Sequence, residues 1–237
     1  MGFKFNILYQ DSDLVAVFKP SGFHVHQPEF PARRVPKEIV CLNQLRDQLG
    51  TWVYPAHRLD CATAGVLLFA LNKDMARQLG QLFTCNQINK KYFAVIRGFF
   101  PDQGILDEPM HTDTSSEPVE TITEFKTLAR VEFPVAVGKR HTSARYSLVE
   151  ANPRTGRYHQ IRRHFAHKGH PVLGDRAHGD SYHNRYFREH LLIGGLRLLA
   201  KSIEFQHPIS GENVWINCDW PQDWQTTFEK CFPDFIL

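Results

Sequence analysis

Short apolar runs recur along the chain, and each is long enough to form one buried strand. VLLFAL at residues 66–71 and YFAVI at residues 92–96 are two of them. None comes near the roughly 20 residues that a membrane-spanning helix needs, so we expect no membrane association. Strand-like runs and helix-like patterns are mixed without a regular β-α-β alternation. The sequence therefore predicts an α+β fold, with a largely antiparallel mixed sheet and flanking helices.

Local signals place the first strands and two helices. The segment NILYQDSDLVAVFKPSG predicts two strands around a turn at residues 11–13. We expect one helix to begin at Pro36 and end at Gly50, and a second helix to be capped by Asn72. The inward positions would be Ile39, Leu42, Leu45 and Leu49 in the first helix and Met75, Leu79, Leu82 and Phe83 in the second.

Further along, the pattern predicts strands separated by irregular chain. KKYFAVIRG, VETITEFKTLARVEF and SARYSLVEA have the composition of strands. Residues 102–120 are acidic, and we predict a long, partly mobile loop there. Residues 152–156 predict a turn, with a helix after it. The carboxyl-terminal aromatic residues are expected to cover the core, and they are Trp215, Trp220, Trp224, Phe228 and Phe232.

The cysteines indicate a reducing environment. They number five, are widely spread, and include no C-x-x-C pair. This pattern favours reduced thiols in a cytoplasm over a disulfide framework or a zinc cluster. The first residues, MGFKFNILYQDSD, contain no cleavable apolar segment, which also favours a cytoplasmic protein.

Positive charge is concentrated in residues 139–188, here called the basic segment. It holds eleven Lys and Arg residues against three acidic residues, although the whole chain has a net charge of only +3. Clustered cations are typical of surfaces that bind the phosphates of a polyanion. A solvated charged surface without a partner is the alternative.

The helix predicted within the basic segment would bury a cation. At about 100° per residue, Tyr158, Ile161 and Phe165 form one apolar stripe. Arg162 falls inside that stripe, and a buried guanidinium requires a carboxylate partner. Asp60, beside an apolar strand, is the candidate, although such a pair could also be a purely structural bridge. The polar residues that point elsewhere are His159, Arg163, His167 and Lys168.

Five motifs match one enzyme family in order and spacing. They are K-P-S-G at residues 19–22, H-R-L-D at 57–60 followed by Thr63 and Gly65, K-K-Y at 90–92, T-G-R-Y-H-Q-I-R at 155–162, and L-G-D at 173–175. With these motifs the chain resembles the RluA-like pseudouridine synthases over residues 7–211. The resemblance implies the pseudouridine synthase fold, with a central RNA-binding cleft. It also implies one catalytic domain over residues 1–237, without a separate amino-terminal RNA-binding module.

The resemblance further implies a reaction and the residues that perform it. Such enzymes detach uracil from its ribose within RNA, rotate the base and rejoin it through carbon, using no metal or other cofactor. Asp60 would be the catalytic nucleophile, and Arg162 would keep it ionised. Tyr92 would lie against the uracil ring, and Arg58 would fill the gap left by the flipped nucleotide. The other implied residues are His57 and Ile161 for the substrate and Lys90, Lys91, Arg154, Arg157, Arg163 and Lys168 for RNA.

Three positions depart from the family pattern. Cys61 stands where relatives usually have Arg, Ala64 where Ser is usual, and Leu199 where His is common. Loss of the Arg would weaken RNA binding while leaving the nucleophile in place. A non-catalytic RNA-binding protein is therefore the alternative to an enzyme.

Two other chemistries have weaker support in the sequence. Cys61 could be a nucleophile, but it has no defined His partner. His164, His167 and His170 could bind a metal ion. Steps of three residues on a basic helix are more typical of a solvated surface that faces phosphate.

Residues 131–180 suggest the substrate. Within the family they most resemble members that modify uridine 65 of transfer RNA, and ribosomal RNA is the alternative. A chain without an extra RNA-binding module would recognise a compact folded RNA by its shape and by unpaired or flipped bases. We expect the protein to act as a monomer.

Overall fold

The structure, a computed structural model, describes residues 3–28, 34–112, 115–138 and 141–235. It forms two compact units, Met1–Lys90 with Ala200–Cys218 and Lys91–Leu199 with Asp219–Leu237. A single catalytic domain over the whole chain remains a prediction. Two parts of the sequence predictions lie outside the described residues, namely Lys139 and Arg140 of the basic segment and residues 113–114 of the predicted loop.

Strands and helices occur in both units, which confirms the α+β prediction. In chain order they are β1 (Ile7–Gln10), β2 (Leu14–Lys19), α1 (Cys41–Leu49), β3 (Tyr54–Pro55), β4 (Ala64–Ala70), α2 (Lys73–Thr84), β5 (Asn89–Arg97), β6 (Gln103–Leu106), β7 (Met110–Thr112), β8 (Ser115–Val119), β9 (Thr123–Phe133), β10 (Ala144–Pro153), α3 (Gln160–His167), α4 (Ser181–His190), β11 (Leu198–Gln206), β12 (Asn213–Asn217) and α5 (Gln222–Cys231). Within the described residues, no helix has the length and hydrophobicity that crossing a membrane requires.

The sheet of the first unit has the strand order β1-β2-β4-β11, with β3 paired to β4 and β12 to β11. The pairs β1–β2, β2–β4 and β11–β12 are antiparallel, as predicted. The turn between β1 and β2 forms because Asp11 Oδ1 accepts hydrogen bonds from the N–H groups of Asp13 (2.7 Å) and Leu14 (2.8 Å). β2 and β4 are buried along most of their length and form the centre of this unit's core.

Helix α1 begins five residues later than predicted. A 3-10 turn at Lys37–Ile39 and an extended Val40 (φ −111°, ψ 113°) precede it, so the α-helix begins at Cys41 rather than at Pro36. Its end at Gly50 is confirmed, since this residue has a left-handed φ of 65°.

Helix α2 begins as the sequence predicts. Asn72 caps it, because its side-chain oxygen accepts a hydrogen bond from the N–H of Met75 at 2.8 Å. Met75 and Leu79 are fully buried, while Leu82 and Phe83 are half-buried. The predicted inward face is therefore confirmed.

The second unit contains the strand order β5-β10-β9-β6 and a two-stranded sheet of β7 and β8. β10 is antiparallel to both β5 and β9. The predicted loop at residues 102–120 is wrong, because this stretch contains β6, β7 and β8. Leu106 and Met110 are buried, and β6 pairs with β9, so non-local pairing and apolar contacts outweigh the acidic composition.

The carboxyl-terminal aromatic residues cover the core only in part. Trp224 and Phe228 in α5 are buried, and Phe232 after the helix is buried as well, as expected. Trp215 lies in β12 and is 62% exposed, so the prediction is wrong for this residue.

Gly65, at the start of β4, leaves no room for a methyl group. Its φ is 126°, and a Cβ atom there would lie 2.1 Å from the carbonyl oxygen of Ala200 in β11. Because that oxygen belongs to the backbone, Gly65→Ala should lower the free energy of unfolding by roughly 3 kcal/mol or more. Urea denaturation of the purified variant measures the loss.

Gly80 in α2 provides the matched control. Nothing lies within 4 Å of a Cβ atom built there, so Gly80→Ala should raise the free energy of unfolding by up to about 1 kcal/mol. If Gly65→Ala unfolded at the same urea concentration as the wild type, the close approach of β4 and β11 would be contradicted.

Candidate active site

The loop between β3 and β4 carries the predicted nucleophile. Leu59 is buried and anchors the loop in the core, while the adjacent Asp60 is half-buried. The N–H of Thr63 donates to the carbonyl oxygen of Asp60 at 3.0 Å, which closes a tight turn immediately before β4. Arg58 is exposed. The loop thus presents a carboxylate just before the first residue of the buried strand β4, as the sequence predicts.

The K-P-S-G turn holds the residues that follow Asp60. The N–H of Gly22 donates to the carbonyl oxygen of Cys61 at 2.8 Å. The hydroxyl of Ser21 donates to the carbonyl oxygen of Ala62 at 2.8 Å. These two bonds join loops about 40 residues apart and fix the backbone next to the carboxylate.

Lys19 is a buried cation at the centre of this arrangement. Its Nζ donates to the carbonyl oxygens of Pro20 (3.0 Å), Phe23 (2.8 Å) and Cys61 (3.1 Å). Burial lowers its pKa to about 8, although the nearby Cys61 and Asp60 act in the opposite direction. The sequence identified Lys19 only as a motif member. Its function in holding the loop was missed, because nothing in the local pattern shows which carbonyls it reaches.

His57 serves the protein itself. Its ring stacks on Phe83 with centroids 4.8 Å apart, and its Nε2 accepts a hydrogen bond from the N–H of Leu68 at 3.1 Å. Burial of the ring, and then the charge of Lys90, lower the pKa of His57 to about 3. The imidazole is therefore neutral and supports β4, and its predicted contact with the substrate remains a prediction.

The three departures from the family pattern occupy different surroundings. Cys61 is half-buried with a free thiol, and the protein uses its carbonyl oxygen rather than its side chain. Ala64 is the first residue of β4. Leu199 is fully buried in β11. Cys61 can replace an arginine without moving the loop, because every residue type supplies the carbonyl.

In the second unit, Arg162 forms a buried bidentate ion pair with Asp175. Nε lies 2.7 Å from Oδ2 and Nη2 lies 2.7 Å from Oδ1, and the two side chains are 7% and 0% exposed. The prediction that Arg162 is buried and needs a carboxylate is confirmed. Asp175 is a partner that the sequence did not identify, and pairing of Arg162 with Asp60 remains a prediction.

Asp175 is held in its ionised form. Burial would raise its pKa, but the hydrogen bonds from Arg162 and from the N–H groups of His178 (3.0 Å) and Ala177 (2.9 Å) lower the pKa overall. The carboxylate thus accepts four hydrogen bonds. It fixes both α3, which carries Arg162, and the segment at residues 177–178.

The T-G-R-Y-H-Q-I-R motif also attaches α3 to β9. Thr155 donates to Gln160 Oε1 at 2.8 Å, and Gln160 Nε2 donates to the carbonyl oxygen of Ile122 (3.0 Å) and to Thr123 Oγ1 (3.1 Å). Both motif side chains are buried, so these bonds fix the helix that carries Arg162. Ile161, predicted to bind substrate, is buried as well.

Of the three histidines predicted to form a solvated surface, His164, His167 and His170, only His167 is exposed. His164 is fully buried, with Nδ1 2.9 Å from Thr123 Oγ1 and Nε2 3.0 Å from Thr121 Oγ1. His167 is exposed, and His170 Nδ1 lies 2.7 Å from the carbonyl oxygen of Arg97. Among the described residues, no group of three or more His, Cys, Asp or Glu side chains could hold a metal ion.

Tyr158 is exposed, contrary to the prediction of an inward apolar position. Helix α3 begins at Gln160, and His159 before it has a left-handed φ of 54°. This turn breaks the helical spacing, so Tyr158 leaves the stripe of Ile161 and Phe165 and is 60% exposed. The two remaining stripe residues are buried as predicted.

Most of the predicted RNA-binding cations have partners within their own unit. Lys168 pairs with Glu108. The other contacts are Lys91 with Glu150 (3.1 Å), Arg154 with Glu124 (2.9 Å) and Arg163 with the carbonyl oxygen of His111 (3.0 Å). The pair of Arg154 and Glu124 is exposed on both sides, and pairs of this kind contribute little stability. Arg157 is exposed.

Tyr92 and Lys90 occupy the first half of β5. Tyr92 is half-buried and lies opposite Ala151 of β10. Lys90 is half-buried, and this burial lowers its pKa to about 8. Its ammonium is therefore less accessible to phosphate than that of an exposed lysine. Their functions at the substrate remain predictions.

Comparison with known proteins identifies related sequences over most of the chain. The model of the RNA pseudouridylate synthase family matches residues 13–167. The chain is 42% identical over 229 residues to a Pectobacterium carotovorum protein named tRNA pseudouridine synthase C, covering 92% of this chain and 60% of that protein. It is 40% identical to a Vibrio cholerae protein of the same name, covering 92% of each chain.

Solved structures show the same fold. Human RNA Pseudouridylate Synthase Domain Containing 1 superposes with a TM-score of 0.71 at 22% identity, covering 93% of this chain and 86% of that one. Human RNA Pseudouridylate Synthase Domain Containing 4 gives a TM-score of 0.69 at 24% identity, covering 94% and 92%. With the family match over residues 13–167, the chain belongs to the RNA pseudouridylate synthase family.

Proposed function

We propose that this protein converts a uridine of transfer RNA to pseudouridine, acting at position 65 as a cytoplasmic monomer. The observation that carries the proposal is the Asp60 loop, a half-buried carboxylate followed by backbone that Lys19 and the K-P-S-G turn hold in place. A nucleophile acts best when its supporting backbone is rigid. The substrate assignment is supported by relatives about 40% identical that are named tRNA pseudouridine synthase C.

The proposed reaction rearranges one nucleotide. Asp60 attacks the ribose or the base, and the bond between the ribose carbon and the uracil nitrogen breaks. The base rotates, the same ribose carbon bonds to ring carbon 5, and the bond that Asp60 formed breaks, which releases the carboxylate. The proton leaves carbon 5, and the ring nitrogen that lost the ribose gains a proton. The product is an isomer of the substrate, so no oxidant, reductant or energy source is consumed.

Arg162 is proposed to keep Asp60 ionised, as the family resemblance implies. Asp175 binds the Nε and Nη2 edge of the guanidinium, so the orientation of Arg162 is fixed before substrate binds. A neighbouring guanidinium favours the ionised form of a carboxylate, which is the nucleophilic form.

Tyr92 and Arg58 are proposed to stabilise the flipped state of the nucleotide. The half-buried ring of Tyr92 would lie against the uracil, and the exposed Arg58 would enter the space that the nucleotide leaves. His57 and Ile161 are the other proposed substrate-binding residues. Lys90, Lys91, Arg154, Arg157, Arg163 and Lys168 are the proposed RNA contacts.

Removal of the carboxylate tests the nucleophile. Asp60→Asn and Asp60→Ala should both abolish release of tritium from transfer RNA that contains 5-tritiated uridine. The Kd for that RNA should stay within about threefold of the wild-type value, because phosphate contacts dominate affinity. Measurable turnover by Asp60→Ala would sink the proposed mechanism. Wild-type protein that binds RNA without releasing tritium would instead support a non-catalytic RNA-binding function.

The position of the modified uridine is tested in cells. Pseudouridine is mapped by carbodiimide-dependent primer extension in total RNA from a strain that lacks this gene. We expect the signal at position 65 of transfer RNA to disappear and to return with the wild-type gene, but not with Asp60→Ala. Loss of a ribosomal RNA signal, with position 65 unaffected, would overturn the substrate assignment.

Removal of Asp175 tests the buried ion pair. Asp175→Asn leaves a buried guanidinium without its carboxylate, and we expect the free energy of unfolding to fall by roughly 3–5 kcal/mol. Because the folded pKa of Asp175 is lowered, its stabilising contribution is present above about pH 4 and is lost as the pH falls through the folded value. The difference between wild type and Asp175→Asn should therefore shrink in acid.

Chemical denaturation at pH 7 and at lower pH measures this difference. Glu189→Gln is the control, since the pair of Glu189 with Arg188 is exposed and its loss should barely change stability. A difference between wild type and Asp175→Asn that did not depend on pH would contradict an ionised Asp175 in the folded protein.

A further inference from the structure

Tyr158 and His159 form an exposed aromatic pair immediately before α3. Their ring centroids are 3.7 Å apart and the ring planes differ by 19°, so the rings are stacked. Tyr158 is nevertheless 60% exposed. A ring that is covered on one face and exposed to this extent presents its other face to solvent. The pair therefore offers a flat aromatic surface within the basic segment.

The ring of His159 is held in place by neighbouring residues. His159 Nδ1 lies 2.9 Å from His178 Nε2, and the N–H of His178 donates to Asp175 at 3.0 Å. His159 has a φ of 54°, a left-handed conformation that is uncommon outside glycine and persists only when the surroundings impose it. His159 is thus connected through His178 and Asp175 to Arg162. Its ring therefore has little conformational freedom to lose when RNA binds.

The chain around the pair is positively charged. Arg157 precedes Tyr158 directly and is exposed, and Arg176 lies two residues before His178 and is also exposed. Proteins that bind unpaired nucleotides combine aromatic rings, on which bases stack, with cations that follow the phosphates. The rings and the two guanidinium groups lie on the two short segments that the bond between His159 and His178 joins.

We propose that Tyr158 and His159 form a stacking platform for an unpaired base of the RNA substrate, with Arg157 and Arg176 contacting its phosphates. The inference rests on the proposed function, since the bound RNA is taken to be the substrate. The T-G-R-x-H-Q-I-R motif leaves position 158 open, so the motif supplies His159 and Arg157 but does not account for Tyr158.

The affinity of the full chain for unmodified transfer RNA tests the platform. Loss of one stacked base should raise the Kd of Tyr158→Ala roughly tenfold. Tyr158→Phe and Tyr158→Trp keep a ring and should stay within about twofold of the wild type. The slope of log K against log salt should not change in Tyr158→Ala, because stacking releases no counterions, whereas Arg157→Ala should reduce the slope by about 1.

Tyr182 supplies the matched control. It is 57% exposed, lies in α4 of the same unit, and is outside the aromatic pair. Tyr182→Ala removes a similar exposed ring and should leave the Kd within about twofold. Ultraviolet crosslinking of the bound RNA, followed by tandem mass spectrometry, should place a crosslink on the tryptic peptide of residues 158–162. It should place none on the Tyr182 residue itself, which fragmentation of the peptide distinguishes from His178 on the same peptide.

The possible outcomes separate the platform from the proposed function. Unchanged affinity in Tyr158→Ala, or an equal loss in Tyr158→Phe, overturns the platform even when the wild type forms pseudouridine in transfer RNA. If the wild type forms no pseudouridine in transfer RNA, but Tyr158→Ala lowers RNA affinity and the other tyrosine variants do not, the proposed function is contradicted and the platform is retained. A wild type that binds no RNA overturns both.

Discussion

Burial of the Arg162 guanidinium is the constraint on which helix α3 and the loop before α4 depend in the second unit. An arginine stays protonated at any pH that a protein tolerates, so burying it requires a negative partner with matching geometry. Asp175 meets this requirement with two bonds of 2.7 Å each. Asp175 Oδ1 also accepts hydrogen bonds from the N–H groups of Ala177 and His178, so the ion pair also fixes the loop before α4. The residue proposed to act on Asp60 thereby determines the backbone around it.

The first unit solves a related problem with neutral partners. Lys19 is fully buried, and its ammonium donates hydrogen bonds to three backbone carbonyl oxygens. Partial charges compensate an ion less completely than a full charge does, which is consistent with the lowered pKa of Lys19. One of the three carbonyls belongs to Cys61, next to Asp60. The buried cation is thus placed where it restrains the loop that carries the proposed nucleophile.

Sequence reasoning succeeded where the signal is local. The Asn72 cap, the turn around Asp11 and the burial of Arg162 each follow from a few neighbouring residues or from helical periodicity. It failed where distant parts of the chain decide the outcome. β6 forms because β9 is available to pair with it, and composition alone predicted a loop. Asp175 lies thirteen residues beyond Arg162, and no periodicity connects the two.

The variable positions of the motifs show how this chain can differ from its relatives without losing its site. At position 61 the structure uses a backbone carbonyl, so a cysteine can stand where relatives usually have an arginine. Tyr158 projects from a turn that His159 stabilises through its bond to His178, and its ring stacks on His159 while staying 60% exposed. The motif residues on either side hold the backbone in place, for example through the hydrogen bond from Thr155 to Gln160. Side chains between them can change with the RNA that is bound, because their substitution does not move the residues proposed to react.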